Sequence, residues 1–144
     1  TNMSENESQS AIFSYKQIIS EDMIDVNGHV NNVAYVRWMQ DDAVAHSRDS
    51  LQRGTVQQMG CTWVARSHHI EYLSPSFLDD DVEVRTWLAS IRRVRCRRRY
   101  EFVRTSDDKL LAKGETDWVF VNIESGRPVS IPEEIASAFV LLPD

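Results

Sequence analysis

One segment, residues 31 to 53, has the spacing of a long helix, and it constrains the fold more than any other feature of the sequence. Apolar side chains recur in it every three or four residues, and it contains neither proline nor glycine. Asn31 or Asn32 can cap its start, and Gly54 can end it. We find no second segment of this kind, so the sequence predicts one long helix.

Apolar and polar residues alternate along most of the remaining chain, which is typical of strands. The pattern predicts strands over residues 11–20, 61–73, 81–88, 93–104 and 110–123, a hairpin turn at Asp107-Asp108, and a short closing helix over 131–140 beginning near Pro132. The fourth strand has one exception, because Arg98 falls on its apolar face. Strands with one apolar face need a cover, and the long helix is the available one. The sequence therefore predicts an α+β fold, with an antiparallel sheet of about five strands wrapped around one central helix.

Length and composition fit a single domain over residues 11–144, preceded by a polar tail, Thr1–Ser10. The longest apolar run, residues 138–142, has five residues, whereas a membrane helix needs about 20. The tail carries two glutamates where a signal peptide would be basic, so we expect neither a signal peptide nor a membrane span. Two cysteines without metal-ligand spacing predict a reduced, cytoplasmic protein with no structural metal.

The distribution of charge gives two interpretations of one basic segment. Sixteen lysines and arginines against 22 acidic residues give a net charge of −6, which argues against nucleic-acid binding. Six of the 13 arginines nevertheless lie between residues 92 and 99, directly after an acidic run. Such a segment suits a small polyanion such as a nucleotide phosphate. It is equally compatible with a solvated strand face whose arginines pair with Asp79, Asp80 and Asp81.

The loop before the long helix concentrates polar chemistry. Residues 25 to 32 contain a carboxylate, an imidazole, three amides and a glycine, and lead directly into the helix. A helix N-terminus has unpaired backbone N–H groups that can polarise a carbonyl and hold an oxyanion. A carboxylate held nearby can attack that carbonyl or activate a water molecule. A purely structural cap rich in Asp and Asn is the alternative, and the residue types alone leave both open.

Other catalytic interpretations have less support. The Gly-x-Ser-x-Gly motif of serine hydrolases and a glycine-rich phosphate loop are both absent from the sequence. Cys61 and Cys96 fall within strands, which favours buried structural thiols. His68 and His69 are neighbours on a strand and point to opposite faces, so we expect a lone hydrogen-bonded histidine there and no metal pair.

The residues from Asp25 to Trp38 follow the pattern Asp-x-x-Gly-His-Val-Asn-Asn-x-x-Tyr-x-x-Trp. This pattern resembles the signature of hot-dog-fold acyl thioesterases of the 4-hydroxybenzoyl-CoA thioesterase type, and is also similar to plant-type acyl-ACP thioesterases. Residues 69–75 resemble the ending of the family's second strand, and residues 118–132 its last strand and closing turn. The resemblance therefore covers roughly residues 13 to 139.

The resemblance implies a role for each matching residue. Asp25 matches the catalytic carboxylate, which acts as nucleophile or general base on the thioester carbonyl. The backbone N–H of Asn32 matches the oxyanion donor. His29 and Asn31 match polar positions that orient the substrate or the carboxylate, and Tyr35 matches a position that shapes the substrate pocket.

The resemblance also implies the substrate and the assembly. Arg92 and Arg93 align with a basic pair that contacts nucleotide phosphates in the aryl-CoA branch of the family. The expected substrate is an acyl thioester of CoA or acyl carrier protein, with no cofactor and no metal. A homo-oligomer, dimer or tetramer, with its site between subunits is expected.

Two alternatives remain beside this assignment. Some family members carry a catalytic Glu on the long helix, which makes Asp41 and Asp42 second candidates; both rank below Asp25, because acidic residues on a helix are usually solvated. The chain can also be a non-catalytic acyl-CoA or acyl-ACP binding protein on the same fold. That alternative leaves unexplained why a carboxylate, Asp25, stands beside an oxyanion site.

Overall fold

Five antiparallel strands of the described chain form one sheet, in the order β1-β3-β4-β5-β2. The computed structural model describes residues 11–51 and 55–143. The strands are β1 (Phe13–Gln17), β2 (Cys61–Tyr72), β3 (Val82–Arg92), β4 (Arg95–Arg104) and β5 (Lys109–Asn122), and the helices are α1 (Asn32–Ser50), α2 (Thr55–Gln58) and α3 (Glu133–Ala136). The predicted α+β fold, a five-stranded sheet with one long helix packed against it, is confirmed. The predicted tail, residues 1–10, and the helix stop at Gly54 lie outside the described residues.

The long helix α1 begins where the cap residues predict. Asn31 is its N-cap, and the Asn31 side-chain oxygen accepts a hydrogen bond from the backbone N–H of Ala34 at 2.9 Å. The helix ends at Ser50, three residues before the predicted end, and the backbone N–H of Leu51 closes its last turn on the carbonyl of Ser47. The short helix α2 follows, and the sequence analysis did not predict it.

The hairpin between β3 and β4 differs from the prediction at both strand boundaries. β3 does not stop at Leu88 but continues to Arg92, across a register shift between Leu88 and Ser90. β4 does not start at Arg93, because Arg93 and Val94 form the turn. The φ of Arg93 is 53°, a left-handed value that strand residues do not adopt. The prediction that the fourth strand begins at Arg93 is therefore wrong.

The two ends of the chain form shorter elements than the alternation predicts. β1 spans Phe13–Gln17 instead of residues 11–20, because it pairs with only five residues of β3. The closing helix α3 has a single turn with Pro132 as its N-cap, instead of spanning residues 131–140. Beyond it the chain extends along β3, where the backbone N–H of Leu142 donates to the carbonyl of Leu88 at 2.9 Å.

The core lies between α1 and one face of the sheet. The predicted apolar face of β3 is confirmed, since Val82, Val84, Thr86 and Leu88 are all buried. α1 contributes a buried stripe at helical spacing: Ala34, Tyr35, Trp38, Met39, Asp42, Ala43 and His46.

A glycine in β5 lets the helix approach the sheet closely. A Cβ atom at Gly114 would lie 2.8 Å from the Met39 sulfur and 3.2 Å from the carbonyl oxygen of His69. A larger residue there would push α1 off the sheet or force Met39 out of place. Gly114 therefore fixes how near the first half of α1 sits to the strands.

Candidate active site

The loop from Ile24 to Val30 holds the Asp25 carboxylate in one orientation. Asp25 Oδ1 accepts hydrogen bonds from the backbone N–H groups of Asn27 at 2.9 Å and His29 at 3.1 Å. The backbone N–H of Asp25 donates to the carbonyl of His29, and an isolated bridge joins Ile24 to Val30. Oδ2 accepts no hydrogen bond from the described residues, so it is the oxygen that remains available to a substrate or water molecule.

Gly28 makes this tight loop possible. Its φ is +78°, a left-handed value that costs glycine little and most other residues more. The backbone N–H of Gly28 donates to the carbonyl of Asp25 at 3.0 Å and closes the turn. The Asp-x-x-Gly-His spacing of the sequence is thus the spacing that brings the His29 N–H back onto the Asp25 carboxylate.

The start of α1 lies beside this carboxylate and is held from both sides. The backbone N–H of Asn31 donates to the carbonyl of Met23 at 2.7 Å, and the Tyr72 hydroxyl donates to the carbonyl of Asn32 at 3.3 Å. The N–H groups of Asn32 and Val33, in the first helical turn, find no acceptor within the helix. They can donate to a ligand oxygen, with the partial positive charge of the helix end adding to their effect.

A cleft of about 310 Å³ brings most of the predicted residues together. It is lined by Asp25, His29, Asn32 and Tyr35 from the loop and helix, and by Tyr72 and the residues after it. Of the predicted set, Asn31 is not in this lining, because its side chain is engaged in capping the helix. The structure therefore places Asn31 as the residue that holds the helix start.

Two aromatic residues form the wall of the cleft. The Tyr35 hydroxyl shares a hydrogen bond of 2.8 Å with the Ser76 hydroxyl, and burial raises the pKa of Tyr35, which keeps the phenol neutral. The His29 ring packs edge-on against Phe77, with the ring centroids 5.2 Å apart. Both side chains are thus held in place by contacts outside the cleft.

Arg92 and Arg93 lie at the other end of the sheet. Arg92 pairs with Arg95 next to the β3–β4 turn. The cleft adjoins Tyr72 on β2, and Tyr72 lies in the same row across the sheet as Phe102 on β4. Seven residues of β4 separate these rows, a distance of about 23 Å. Within one chain, the structure does not bring the basic pair to the Asp25 cleft.

The arginines of β4 pair with acids that the sequence analysis did not select. Arg99 contacts Glu115 at 3.0 Å, and Arg95 lies 4.0 Å from Asp117. The alternative pairing of residues 92–99 with Asp79, Asp80 and Asp81 does not form, because those acids precede Val82, which pairs with Arg104 at the far end of β4. For Arg92 and Arg93, no carboxylate of the described residues lies within ion-pair distance.

A buried polar cluster beneath α1 was only partly foreseen. Arg98, which broke the strand pattern, is 3% exposed, and Asp42 is fully buried. The expectation that Asp42 is solvated is therefore wrong, whereas Asp41 is exposed as expected. The sequence shows one charged residue, Arg98, among the apolar positions of β4 and another, Asp42, on the helix. It does not show that these two positions meet.

The structure confirms that the two cysteines are buried and that one histidine of the 68–69 pair is hydrogen-bonded. Cys61 and Cys96 are free, buried thiols, and burial raises the pKa of Cys96 to about 11. His68 shares a hydrogen bond of 2.9 Å with the hydroxyl of Thr116.

The described residues contain neither a cluster of metal-binding side chains nor a membrane-spanning helix. Among residues 11–51 and 55–143, no three His, Cys, Asp or Glu side chains gather where they could hold a metal ion. No helix of these ranges is long and apolar enough to cross a membrane.

Comparison with known proteins decides the family. Residues 20–139 match the model of the thioesterase-like superfamily. The chain belongs to the thioesterase-like superfamily. No curated protein matches the sequence.

Solved structures similar to this superfamily member share its fold at low sequence identity. A 4-hydroxybenzoyl CoA thioesterase mutant complexed with 4-hydroxybenzoyl CoA is 19% identical, with a TM-score of 0.81 over 89% of this chain and 98% of that chain. A 1,4-dihydroxy-2-naphthoyl-CoA thioesterase from Synechocystis is 16% identical, with a TM-score of 0.79 over 88% of this chain and 94% of that chain. A hypothetical protein from Staphylococcus aureus in complex with CoA is 20% identical, with a TM-score of 0.81 over 88% of this chain and 80% of that chain. The hot-dog fold that the motif implies is thereby confirmed.

Proposed function

We propose that this protein hydrolyses acyl-CoA thioesters, with Asp25 acting on the thioester carbonyl. The observation that carries the proposal is the position of one carboxylate in the cleft where the long helix begins. Asp25 Oδ1 is fixed by two backbone N–H groups, and Asn32 shares its cleft. A fixed nucleophile or base beside unpaired helix N–H groups is what acyl transfer requires.

The carboxylate can act in either of two ways. As a general base, Asp25 takes a proton from water while the hydroxide attacks the carbonyl carbon, and the oxyanion forms against the N–H of Asn32. Collapse of this intermediate breaks the carbon–sulfur bond, and the departing thiolate takes the proton from Asp25. As a nucleophile, Asp25 displaces the thiolate directly and forms an anhydride, which water then hydrolyses. Both routes release a carboxylic acid and a thiol.

The relatives support CoA as the carrier of the acyl group. Two of the similar structures are thioesterases named for aryl-CoA substrates, and a third holds CoA. Acyl carrier protein remains a second carrier on the strength of the motif alone. The proposal is tested by measuring the release of free thiol from a panel of acyl-CoA and acyl-ACP thioesters. Turnover of an acyl-CoA supports the proposal, whereas saturable binding without thiol release across the panel favours the non-catalytic binding protein.

We expect the protein to be at least a homodimer in solution. β2 is an edge strand with 12 residues, and no other strand of the described residues pairs with its outer side. A long exposed edge tends to pair with another strand, and pairing with a second copy satisfies both edges. Light scattering at micromolar concentration is expected to give at least twice the chain mass. A mass near the 16.6 kDa of one chain would contradict this expectation.

The basic pair fits this assembly, because it lies too far from the cleft of its own chain. We propose that Arg92 and Arg93 bind the phosphates of a CoA whose thioester sits in a cleft of another subunit. Arginine side chains bind phosphate through paired hydrogen bonds, and exposed charges of this kind act mainly on binding and encounter.

The combined variant Arg92→Ala with Arg93→Ala is expected to raise KM for acyl-CoA and to flatten its dependence on salt. Its kcat is expected to change much less, since Asp25 and Asn32 are untouched. Steady-state kinetics at two or more salt concentrations measures both quantities. Arg97→Ala, which removes an exposed arginine of β4, is the control. A double variant that melts at lower temperature but keeps its KM would show that the pair is structural.

A further inference from the structure

A second and larger cavity, of about 610 Å³, lies under the second half of α1. Its lining is mainly apolar and includes Ala43, Val44, Trp63, Leu88, Trp118 and Phe139. Two arginines also line it. Arg48 is exposed on the helix, whereas Arg98 is buried. A volume of this size accommodates a small organic ligand.

Arg98 is a buried cation without a carboxylate partner. Its Nη1 atom contacts the Nδ1 atom of His46 at 2.8 Å and the Thr86 hydroxyl at 3.1 Å. Its Nε atom is buried and has no hydrogen-bond partner among the described residues. No Asp or Glu of the described ranges lies within ion-pair distance of this guanidinium. An arginine keeps its charge even when buried, so this one lacks a counter-ion.

The titratable groups around Arg98 do not neutralise it. Burial raises the pKa of Asp42 to about 8, against the opposing effect of Arg98, whereas a carboxyl that is ion-paired to an arginine has a lowered pKa. Burial and the charge of Arg98 together lower the pKa of His46 to about 3, which leaves the imidazole neutral. The thiol of Cys96, whose pKa is raised to about 11 by burial, is neutral as well. Arg98 therefore brings a buried positive charge, with no carboxylate of the described residues within ion-pair distance, to a cavity with mainly apolar walls.

We infer that this cavity binds a free carboxylic acid with an apolar body, its carboxylate on Arg98 and its hydrocarbon against Trp63 and Trp118. A guanidinium whose donors are not all satisfied by the protein favours a carboxylate as its acceptor. The aromatic and aliphatic walls remove the hydrocarbon from water. The inference does not depend on thioester hydrolysis, because it concerns a different cavity and a ligand without a thioester.

Octanoate is a suitable probe, with octanol as its uncharged counterpart. Both are titrated into the full chain at pH 7 without CoA, by calorimetry and by the fluorescence of the tryptophans that line the cavity. Octanoate is expected to bind about tenfold more tightly than octanol or better, since a hydrogen bond to a charged group contributes about 1.5–3 kcal/mol. Equal binding of the two probes, or no saturable binding of octanoate, would overturn the inference.

Two matched variants separate the role of Arg98 from a general effect of charge. Arg98→Met keeps a long side chain and removes the cation, so it is expected to abolish the preference for octanoate. Arg97→Met removes an exposed charge from the adjacent position of β4, on the opposite face. It is expected to keep the preference. Retained preference in the folded Arg98→Met protein would overturn the inference.

A third variant keeps the test decisive where Arg98→Met fails to fold. Val44 lines the cavity from the helix and is 48% exposed, so Val44→Trp can fill space there with little effect on the core. We expect this variant to bind octanoate at least about tenfold more weakly, since a filled cavity excludes the ligand. Unchanged affinity would show that octanoate binds elsewhere on the protein, and the inference would be wrong.

Discussion

Replacing Asp25 with asparagine is expected to lower kcat by a factor of about 10² or more while the protein stays folded. The amide oxygen of asparagine can still accept the hydrogen bonds that Asn27 and His29 donate to Oδ1. Only the charge is lost, and with it the ability to attack the carbonyl or to take a proton from water. Thiol release from a saturating acyl-CoA measures kcat, and circular dichroism with a melting curve checks the fold.

Two acids on α1 provide the controls for this variant. Asp41→Asn removes an exposed carboxylate and is expected to leave kcat within about twofold of the wild type, as for a solvated side chain. Asp42→Asn tests the alternative catalytic position directly. Asp42 lies ten residues after Asn32, about 15 Å along the helix, so its replacement should leave turnover largely intact. Wild-type turnover in a folded Asp25→Asn protein, or a loss of turnover confined to Asp42→Asn, would reject the proposed mechanism.

Replacing Trp38 with alanine is expected to lower the free energy of unfolding by about 3–5 kcal/mol. Trp38 is 1% exposed and lies between Tyr35 and Phe102, with ring centroids at 5.1 Å and 6.4 Å. Its indole N–H has no hydrogen-bond partner among the described residues. The loss therefore measures packing between α1 and the sheet, and urea unfolding followed by circular dichroism quantifies it.

A second tryptophan makes this measurement specific. Trp87 is only partly buried and lies on the other face of β3 from the core residues Thr86 and Leu88. Trp87→Ala should destabilise the protein clearly less than Trp38→Ala does, since less apolar area leaves water there. Equal losses for the two variants would mean that α1 is not the main cover of the sheet.

Much of the fold was predictable because the repeating patterns are local. The period-two alternation of β3 and β4 reflects which side of each strand meets the core, and the helical spacing without proline or glycine indicates where α1 lies. Asn31 could be proposed as a cap from its residue type and place alone. The hydrogen bonds that fix the Asp25 carboxylate are local for the same reason, since their donors, Asn27 and His29, lie no more than four positions away.

The remaining features depend on contacts between distant segments. Arg93 occupies a turn because β3 continues past Leu88, and strand pairing across a register shift decides where that turn falls. The strand order did not follow from the sequence either, so Glu115 and Asp117 on β5 could not be named as the partners of the β4 arginines. Asp42 and Arg98 come together only when α1 packs on the sheet.

The close contact at Gly114 has a consequence for how members of such a fold can diversify. It holds the first half of α1 against β5, and with it the helix start beside Asp25. The second half of the same helix, from Ala43 onward, covers the larger cavity and has no comparable contact with a glycine among the described residues. Substitutions at Val44 or Ser47 can therefore reshape the cavity and leave the Asp25 carboxylate undisturbed. One helix thus has a first half whose distance from the sheet is fixed by close packing and a second half that can accept side chains of other sizes.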